Sequence, residues 1–308
     1  MLFLEVPEPV GLRHAGAAER AEEGAGPVRQ IEGRGSGRPV EGREVVRHQG
    51  AHRLAVFPGV GLGSTNQGGL EVEGQLGLHG RRDEREWPLA RTRYTKFYLH
   101  SGGRANSLYG DGRLDTIPPG REPADRFQYD PMNAPPFITD ASFSQVGGPD
   151  DYRSVERRDD ILVYTTAPFT EPVEVCGPLT VHLVAASSAK DTDWATKILD
   201  VHPDGFAQRL NDGLVRARYY RDAAKAQFLV PGQSEAYDID NWATCQLFGR
   251  GHRLRLEVLS SAFPKWDRNL NTGGPLGDET KAIVADQTVH HGRGTESWVT
   301  IPLVPRPR

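Results

Sequence analysis

The sequence predicts an all-β chain whose main part is a jelly-roll β-sandwich, preceded by a largely disordered N-terminal segment. From Trp87 onward, runs rich in aromatic and β-branched residues recur about every eight to twelve residues, with Pro, Gly, Asn or Asp between them. Several of these runs alternate apolar and polar residues, as strands do. Before Trp87 the residue composition is different, and we therefore expect a domain boundary near residue 87.

Residues 1–86 have little to bury. They hold 17 of the 35 glycines, contain Arg but no Lys, and have only Phe3 and Phe57 as aromatic residues. Neither a helical period nor strict alternation is sustained, so we expect low-complexity, disordered chain. An Arg/Gly/Glu/Ala mixture of this kind is also what translation of GC-rich DNA in a wrong frame produces, and a mistranslated segment is the alternative.

Nine segments of residues 87–308 are predicted strands. In chain order they are 95–101, 160–166, 173–187, 194–201, 213–220, 235–240, 242–248, 253–260 and 297–304. In residues 253–258, Leu254, Leu256 and Val258 share one face and charged residues share the other, which predicts a sheet with one solvated side. This many short strands over some 220 residues is typical of a two-sheet sandwich, and among sandwiches we favour a jelly roll.

Charge and hydropathy exclude several classes of partner. The net charge is −4, the isoelectric point is about 6.2, and no basic block is present, so we expect no nucleic-acid partner. No leader and no run of about 18 apolar residues is visible, so we expect no membrane segment. Cys176 and Cys245 lie in apolar, strand-like contexts. They are predicted to be buried small hydrophobes rather than a disulfide, which favours a reducing, cytoplasmic location.

The motifs of nucleophilic catalysis are missing. No serine has Gly at both the −2 and +2 positions, so the nucleophile elbow of α/β hydrolases is absent. Neither cysteine has a polar activating neighbour, and an inert buried thiol is the better interpretation. We therefore expect no catalytic residue in this chain.

One acidic stretch raises the question of a metal. Its candidate ligands are Asp191, Asp193, Asp200, His202 and Asp204. The segment "HPDG" has the residues of a β-turn, and the spacing of a calcium loop is not matched, so a turn is favoured over a metal site. Adjacent His290 and His291 are predicted to be loop histidines that face opposite ways. We expect no metal and no other cofactor.

The tryptophans are predicted to be mostly core residues. They are Trp87, Trp194, Trp242, Trp266 and Trp298. Stacking on a sugar ring is the alternative use of such side chains, but in a sandwich most of them are buried.

Four long stretches, taken together and in order, resemble a known family. They are "WPLARTRYTKFYLHSGG", "FQYDPMNAPP", the segment from "RRDDILVYTT" to "GLVRARY", and "GHRLRLEVLSSAFPKWDRNLNTGG". They are similar to the C-terminal domain of the cocaine esterase / X-Pro dipeptidyl-peptidase (CocE/NonD) serine hydrolases. The resemblance covers about residues 82–308. It implies a jelly roll akin to galactose-binding domains that packs on an α/β-hydrolase domain.

The same resemblance implies that this chain alone is inactive. In the family, the Ser, Asp and His of the catalytic triad lie in the preceding hydrolase domain, and residues 1–86 do not resemble that domain. The implied role is that of a non-catalytic domain of an esterase, acylase or peptidase, which covers the active site and takes part in homo-oligomer formation. The alternative is a stand-alone jelly roll that binds carbohydrate or peptide.

The resemblance also suggests roles for individual residues. The segment 260–274 corresponds to a structural signature of the jelly roll, with a strand ending at Ser261 and a turn held by its own side chains. Its signature residues are Trp266, Asp267, Arg268, Asn269 and Asn271. A structural role is favoured over a ligand clamp. The loop "FITDASFSQVGG" departs from the family pattern and leaves Phe143 as a candidate for lining the hydrolase pocket.

Overall fold

The computed structural model describes residues 52–54, 82–84, 86–138 and 150–305, all within one compact unit, Gln49–Arg308. Most of the N-terminal segment and Phe143 therefore lie outside the described residues. The strands of the described part are β1 His52–Leu54, β2 Arg82–Glu84, β3 Arg93–His100, β4 Arg113–Asp115, β5 Asp125–Tyr129, β6 Leu162–Thr165, β7 Val173–Ser187, β8 Asp193–Val201, β9 Ala207–Arg216, β10 Glu235–Phe248, β11 Arg253–Leu259, β12 Ala285–His290 and β13 Trp298–Val304.

The strands form one long ladder that folds into two layers. Its order is β5-β12-β7-β13-β3-β4-β6-β11-β8-β9, and β10 pairs along β7; β1 and β2 pair separately. The short strand β4 links the halves, antiparallel to β3 and joined to β6 by one parallel bridge, Arg113 to Thr165. The remaining pairings in the ladder are antiparallel. Successive side chains along each strand point to opposite faces of its layer.

One hydrophobic core lies between the layers. It combines Leu179, Leu183 and Ile301 from the first half of the ladder with Ile198 and Leu256 from the second. The ring of Trp194 on β8 lies 6.1 Å from that of Tyr237 on β10. This arrangement confirms the predicted all-β class and agrees with a β-sandwich.

The predicted solvated face of the second layer is wrong. Leu254, Leu256 and Val258 do face the core, but Glu257 on the opposite face of β11 is fully buried. The 3-10 helix Tyr152–Arg157 covers this outer face, and Tyr152 and Val155 pack in a second apolar cluster with residues of β6 and β8. Charged residues at alternate positions of a strand predict a solvent-exposed face. Here the face is buried because its charges are paired, as in the Lys197–Glu257 contact of 2.9 Å.

The helices of the described part are short, and side chains cap the first two of them. Asp130 accepts a hydrogen bond from the Met132 amide at the start of the 3-10 helix Pro131–Asn133, and Asp151 accepts one from the Arg153 amide in the next. A third 3-10 helix, Ala217–Tyr219, follows β9. No helix within the described ranges approaches the length and hydrophobicity of a membrane span.

Several strand boundaries differ from the prediction. Strands β4, β5 and β12 were not expected, and the predicted strand 213–220 instead runs from Ala207 to Arg216. The two segments predicted at 235–240 and 242–248 form the single strand β10, whose register against β7 shifts between Asp240 and Ala243. Trp242 lies in this irregularity with φ of 61°, which explains why the sequence pattern breaks there.

The prediction for the two cysteines is wrong. Cys176 on β7 and Cys245 on β10 are cross-strand partners with a Cα–Cα distance of 4.0 Å, and they form a disulfide. The predicted apolar surroundings are present, since Cys176 packs with Leu89 and Val304. Context alone did not reveal that the register places the two thiols opposite each other. The disulfide also removes the reason for assigning a reducing compartment.

Candidate functional site

The segment that follows β11 is attached to the start of β8 by buried polar contacts. Asn269 is 1% exposed, and its amide nitrogen donates to Asp191 Oδ2 at 2.7 Å and to Asp193 Oδ1 at 2.9 Å. Its Oδ1 accepts from the Asn271 amide at 2.9 Å, the side chain-to-backbone bond expected of such a turn. Asn271, with φ of 64°, donates to the carbonyl of Ile283. Asn269 therefore joins the turn to two buried carboxylates.

Two arginines neutralise those carboxylates. Arg218 Nε donates to Asp191 Oδ2 at 2.7 Å, and Arg216 makes a two-pronged contact with Asp193. Burial raises the pKa of Asp193, although hydrogen bonds from Arg216 and Asn269 act to lower it. The hydrogen bond with Asp193 in turn raises the pKa of the Arg216 guanidinium. The cluster is charge-balanced and leaves no carboxylate free to bind a cation.

The same arginines hold the backbone of the segment. Arg216 Nη2 donates to the carbonyl of Asp267 at 2.9 Å, and Arg218 Nη1 donates to the carbonyl of Gly274 at 2.7 Å. The Asp267 side chain is exposed, and Trp266 is half-buried beneath Lys265, whose Nζ lies 4.5 Å from the indole centroid. The contacts of this segment are thus made mainly with the protein's own backbone and buried charges.

Arg268 contacts the ring of Phe263 and the backbone of Pro131, the residue before exposed Met132. Its Nη1 donates to the carbonyl of Pro131 at 2.9 Å, and its guanidinium lies 5.0 Å from the ring centroid of Phe263. Phe263 is 41% exposed, and Met132, next to Pro131, is 70% exposed. We call Met132, Phe263 and Arg268 the Met132–Phe263 surface.

A serine, a histidine and a glutamate meet at the end of β3 in an arrangement that resembles a catalytic triad. Ser101 Oγ lies 3.0 Å from His291 Nε2, and His291 Nδ1 lies 3.2 Å from Glu122 Oε2. Sequence reasoning missed this arrangement, because the three residues are far apart in the chain and lack a nucleophile elbow.

Its hydrogen bonds do not suit catalysis. Ser101 Oγ donates to Asp125 Oδ2 at 2.7 Å, and His291 Nε2 lies 3.0 Å from the same oxygen, so the histidine acts there as a donor. Burial raises the pKa of Asp125, but hydrogen bonds led by that from His291 outweigh it and hold this pKa below its ordinary value. Ser101 is 6% exposed and His291 fully buried. Because the His291 Nε2 proton is donated to Asp125, this nitrogen cannot take the proton of Ser101, and the buried site gives substrate no access.

The acidic stretch predicted to be a turn is one, but it also meets a distant histidine. The Gly205 amide donates to the carbonyl of His202 at 2.9 Å, and Asp204 accepts from the Phe206 amide. Asp200 and His202 lie beside His252, and one ligand atom from each of the three lies within 4.8 Å of the others. His252 is 50 positions from His202 in the sequence, so the spacing of residues did not identify it as a neighbour of the acidic stretch.

The prediction that most tryptophans are core residues is wrong. Trp194 is fully buried, whereas Trp87 and Trp242 are exposed, and Trp266 and Trp298 are half-buried. Trp298 packs between His182 of β7, at a ring distance of 4.0 Å, and Lys96 of β3, whose Nζ lies 3.6 Å from the centroid. Its ring is therefore occupied by neighbours from both flanking strands.

Comparison with known proteins identifies what the chain is similar to. A family model for the X-Pro dipeptidyl-peptidase C-terminal non-catalytic domain matches residues 63–300. Cocaine esterase of Rhodococcus sp. (strain MB1 Bresler) is 40% identical over 235 residues, which make up 75% of this chain and 41% of that protein. A putative serine esterase of Mycobacterium bovis is 30% identical over 115 residues, 32% of this chain and 18% of its own length.

Solved structures of hydrolases also match this chain over part of their length. An aminopeptidase from a marine sediment archaeon (Thaumarchaeota archaeon) matches with a TM-score of 0.67 and 28% identity, over 75% of this chain and 40% of that one. An α-amino acid ester hydrolase matches with a TM-score of 0.66 and 26% identity, over 73% and 39%. In each case the similarity spans about two fifths or less of the relative's length.

Proposed function

Because the chain belongs to the X-Pro dipeptidyl-peptidase C-terminal non-catalytic domain family, we propose that it serves as the accessory β-sandwich of a CocE/NonD-type serine hydrolase. In this role it packs against an α/β-hydrolase domain and helps to enclose the active site. The observation that carries the proposal is the match of 75% of this chain to only 41% of cocaine esterase. The reaction of the whole assembly is hydrolysis of an ester or amide bond.

The Met132–Phe263 surface is the proposed contact with the hydrolase domain. Exposed side chains of this size are costly to leave in water, and a neighbouring domain would remove them from it. The supporting backbone is firmly held, since the Phe137 amide donates to the carbonyl of Phe263 at 2.7 Å and Arg268 bonds the carbonyl of Pro131. A rigid apolar patch of this kind suits permanent docking.

The residues 260–274 are proposed to have a structural role. Asn269 and Asn271 fix the turn, and Arg216 and Arg218 hold its backbone, so the segment presents Phe263 and Arg268 in one fixed orientation. The chemistry belongs to the partner domain, where a serine would attack the substrate carbonyl with a histidine as general base. This chain would pack against the hydrolase domain and help to enclose its active site.

The alternative of a stand-alone sugar- or peptide-binding module requires an exposed aromatic platform with polar neighbours. Trp298 is occupied by His182 and Lys96, and Trp242 projects singly from an irregular point of β10. No observation within the described residues favours this alternative.

A chimera tests the proposal. Residues 87–308 of this chain would replace the corresponding C-terminal part of Rhodococcus cocaine esterase, which is 40% identical to it. We expect a folded chimera that hydrolyses an ester substrate, whereas the chain alone gives no turnover.

The matched variants in the chimera are Met132→Ser with Phe263→Ser, and Tyr109→Ser as control, because Tyr109 is 73% exposed and its amide donates to Ser107 within its own loop. Loss of thermal stability confined to the double variant supports docking through this surface. An unfolded chimera, or equal effects of the two variants, argues against it.

A further inference from the structure

Two strands bring a carboxylate and two imidazoles to one point on the second layer. Asp200 lies on β8, which ends at Val201, and His202 is the first residue after the strand. In the β8–β11 register Val201 pairs with Arg253, which places His252 across from His202. The two imidazole rings lie 4.4 Å apart, and Asp200 Oδ1 lies 2.8 Å from His252 Nδ1.

Neighbouring amides orient two of these groups. Gln246 Nε2 donates to Asp200 Oδ2 at 3.0 Å, which leaves Oδ1 directed at His252. Gln208 Oε1 lies 3.3 Å from His202 Nε2, and since an amide oxygen can only accept, His202 carries its proton on Nε2 and has a free lone pair on Nδ1. Histidine ligands of metals are oriented in this way, with the second ring nitrogen donating to an acceptor.

From this geometry we propose that Asp200, His202 and His252 form a binding site for a zinc-like divalent ion. Two imidazoles and one carboxylate are a donor set that zinc accepts, whereas calcium and magnesium prefer oxygen ligands alone. Zinc bonds of about 2.1 Å in a tetrahedral site separate the ligand atoms by roughly 3.4 Å. One ligand atom from each residue lies within 4.8 Å of the others, and Asp200 Oδ1 and His252 Nδ1, now 2.8 Å apart in a hydrogen bond, would have to separate by about 0.6 Å for both to bind one ion.

Burial and access also fit an ion site. Asp200 is fully buried, so its charge is weakly screened and attracts a cation, whereas the side chain of His252 is 19% exposed and leaves a route from solvent. The ion would join the end of β8, the turn that follows it and the start of β11. Binding would stabilise the folded chain by an amount that grows with the logarithm of the ion concentration above the dissociation constant.

The test is a titration of the full, tag-free, metal-stripped chain with Co²⁺, followed by competition with Zn²⁺. Four-coordinate Co²⁺ bound to histidine and carboxylate has a visible absorption that the free ion lacks. We expect one ion per chain, displacement of Co²⁺ by Zn²⁺, and binding about 100-fold weaker in His252→Asn and in His202→Asn. His202 lies in a turn, so its variant should fold even if that of His252 does not.

The matched control is His182→Asn, which removes a histidine that also contacts a carboxylate, Asp238 at 2.7 Å, but that belongs to no three-residue cluster among the described residues. This variant should bind Co²⁺ as the parent does. Circular dichroism confirms that each variant is folded. Absence of binding by the parent chain, or equal weakening by the control, overturns the proposal and leaves Asp200–His252 as an ion pair alone.

Discussion

Arg216 and Asp193 are cross-strand partners whose side chains make a two-pronged ion pair, with Nε and Nη2 each 2.9 Å from a carboxylate oxygen. Asp193 is almost fully buried, and the same carboxylate accepts a bond from Asn269. The pair therefore links β8 and β9 to the turn that orients Phe263. The stability of the proposed docking surface depends on this contact.

Replacing Arg216 by Ala should lower the free energy of unfolding by about 3–5 kcal/mol, because it leaves a buried carboxylate without its counter-charge. The measurement is urea denaturation of the full chain. Arg221→Ala is the control, since Arg221 forms an exposed pair with Glu235, and it should cost about 1 kcal/mol or less. Equal losses in the two variants would show that the Arg216 pair has no special role.

Glu156 should make stability depend on pH. Its carboxyl is buried and lies near Glu257, and these two causes raise its pKa from 4.5 to about 7. The folded chain thus holds this proton more tightly than the unfolded chain does. The contribution is complete below pH 4.5 and is lost as the pH rises through 7, a change of about 3 kcal/mol.

The variant Glu156→Gln removes this titration. The difference in the free energy of unfolding between Glu156→Gln and the parent should therefore move in favour of the variant by about 3 kcal/mol between about pH 4 and about pH 8. Denaturation at several pH values measures it. A difference that stays constant across this range would mean that the Glu156 carboxyl has the same pKa in the folded and the unfolded chain.

Reduction of the Cys176–Cys245 disulfide should destabilise the domain. The two cysteines are 69 residues apart in the chain, and a cross-link that closes a loop of this length is worth up to about 4 kcal/mol. Thermal unfolding with and without a reductant measures the effect, with Cys176→Ser/Cys245→Ser as the control that should not respond to it. An unchanged midpoint in the parent would contradict a stabilising disulfide.

Ser101→Ala should reduce stability and leave hydrolysis unaffected. The change removes a hydrogen bond to the buried Asp125 carboxylate, at a cost of about 1–3 kcal/mol. The chain alone should hydrolyse a p-nitrophenyl ester no faster than buffer does, with or without Ser101. Turnover that the substitution abolishes would instead identify Ser101 as a nucleophile.

The sequence predicted strands well where the residues that face the core are apolar, as in β7 and β11. It missed β5 and β12 because each directs a polar residue inward. Asp125 receives the bonds from Ser101 and Tyr164, and Gln287 donates to Thr192 and Ser260. Buried polar groups with partners break the alternation on which strand prediction depends.

The candidate sites were less accessible to sequence reasoning. Asn269 and Asn271 were recognised as signature residues, but their partners Asp191 and Asp193 were considered as metal ligands, since nothing local indicates that Arg216 and Arg218 neutralise them. His252 joins Asp200 through strand register, which the spacing of residues does not reveal. The sequence does not show which residues that are distant in the chain become neighbours in the fold.

The most direct test of the central claim is sedimentation of this chain co-expressed with the α/β-hydrolase part of Rhodococcus cocaine esterase. The account predicts a one-to-one complex that hydrolyses ester, is weakened at least about tenfold by Met132→Ser with Phe263→Ser, and is unaffected by Tyr109→Ser. The chain alone should self-associate through the same surface. Two species that sediment independently, together with a clean monomer of the isolated chain at high concentration, would contradict the account.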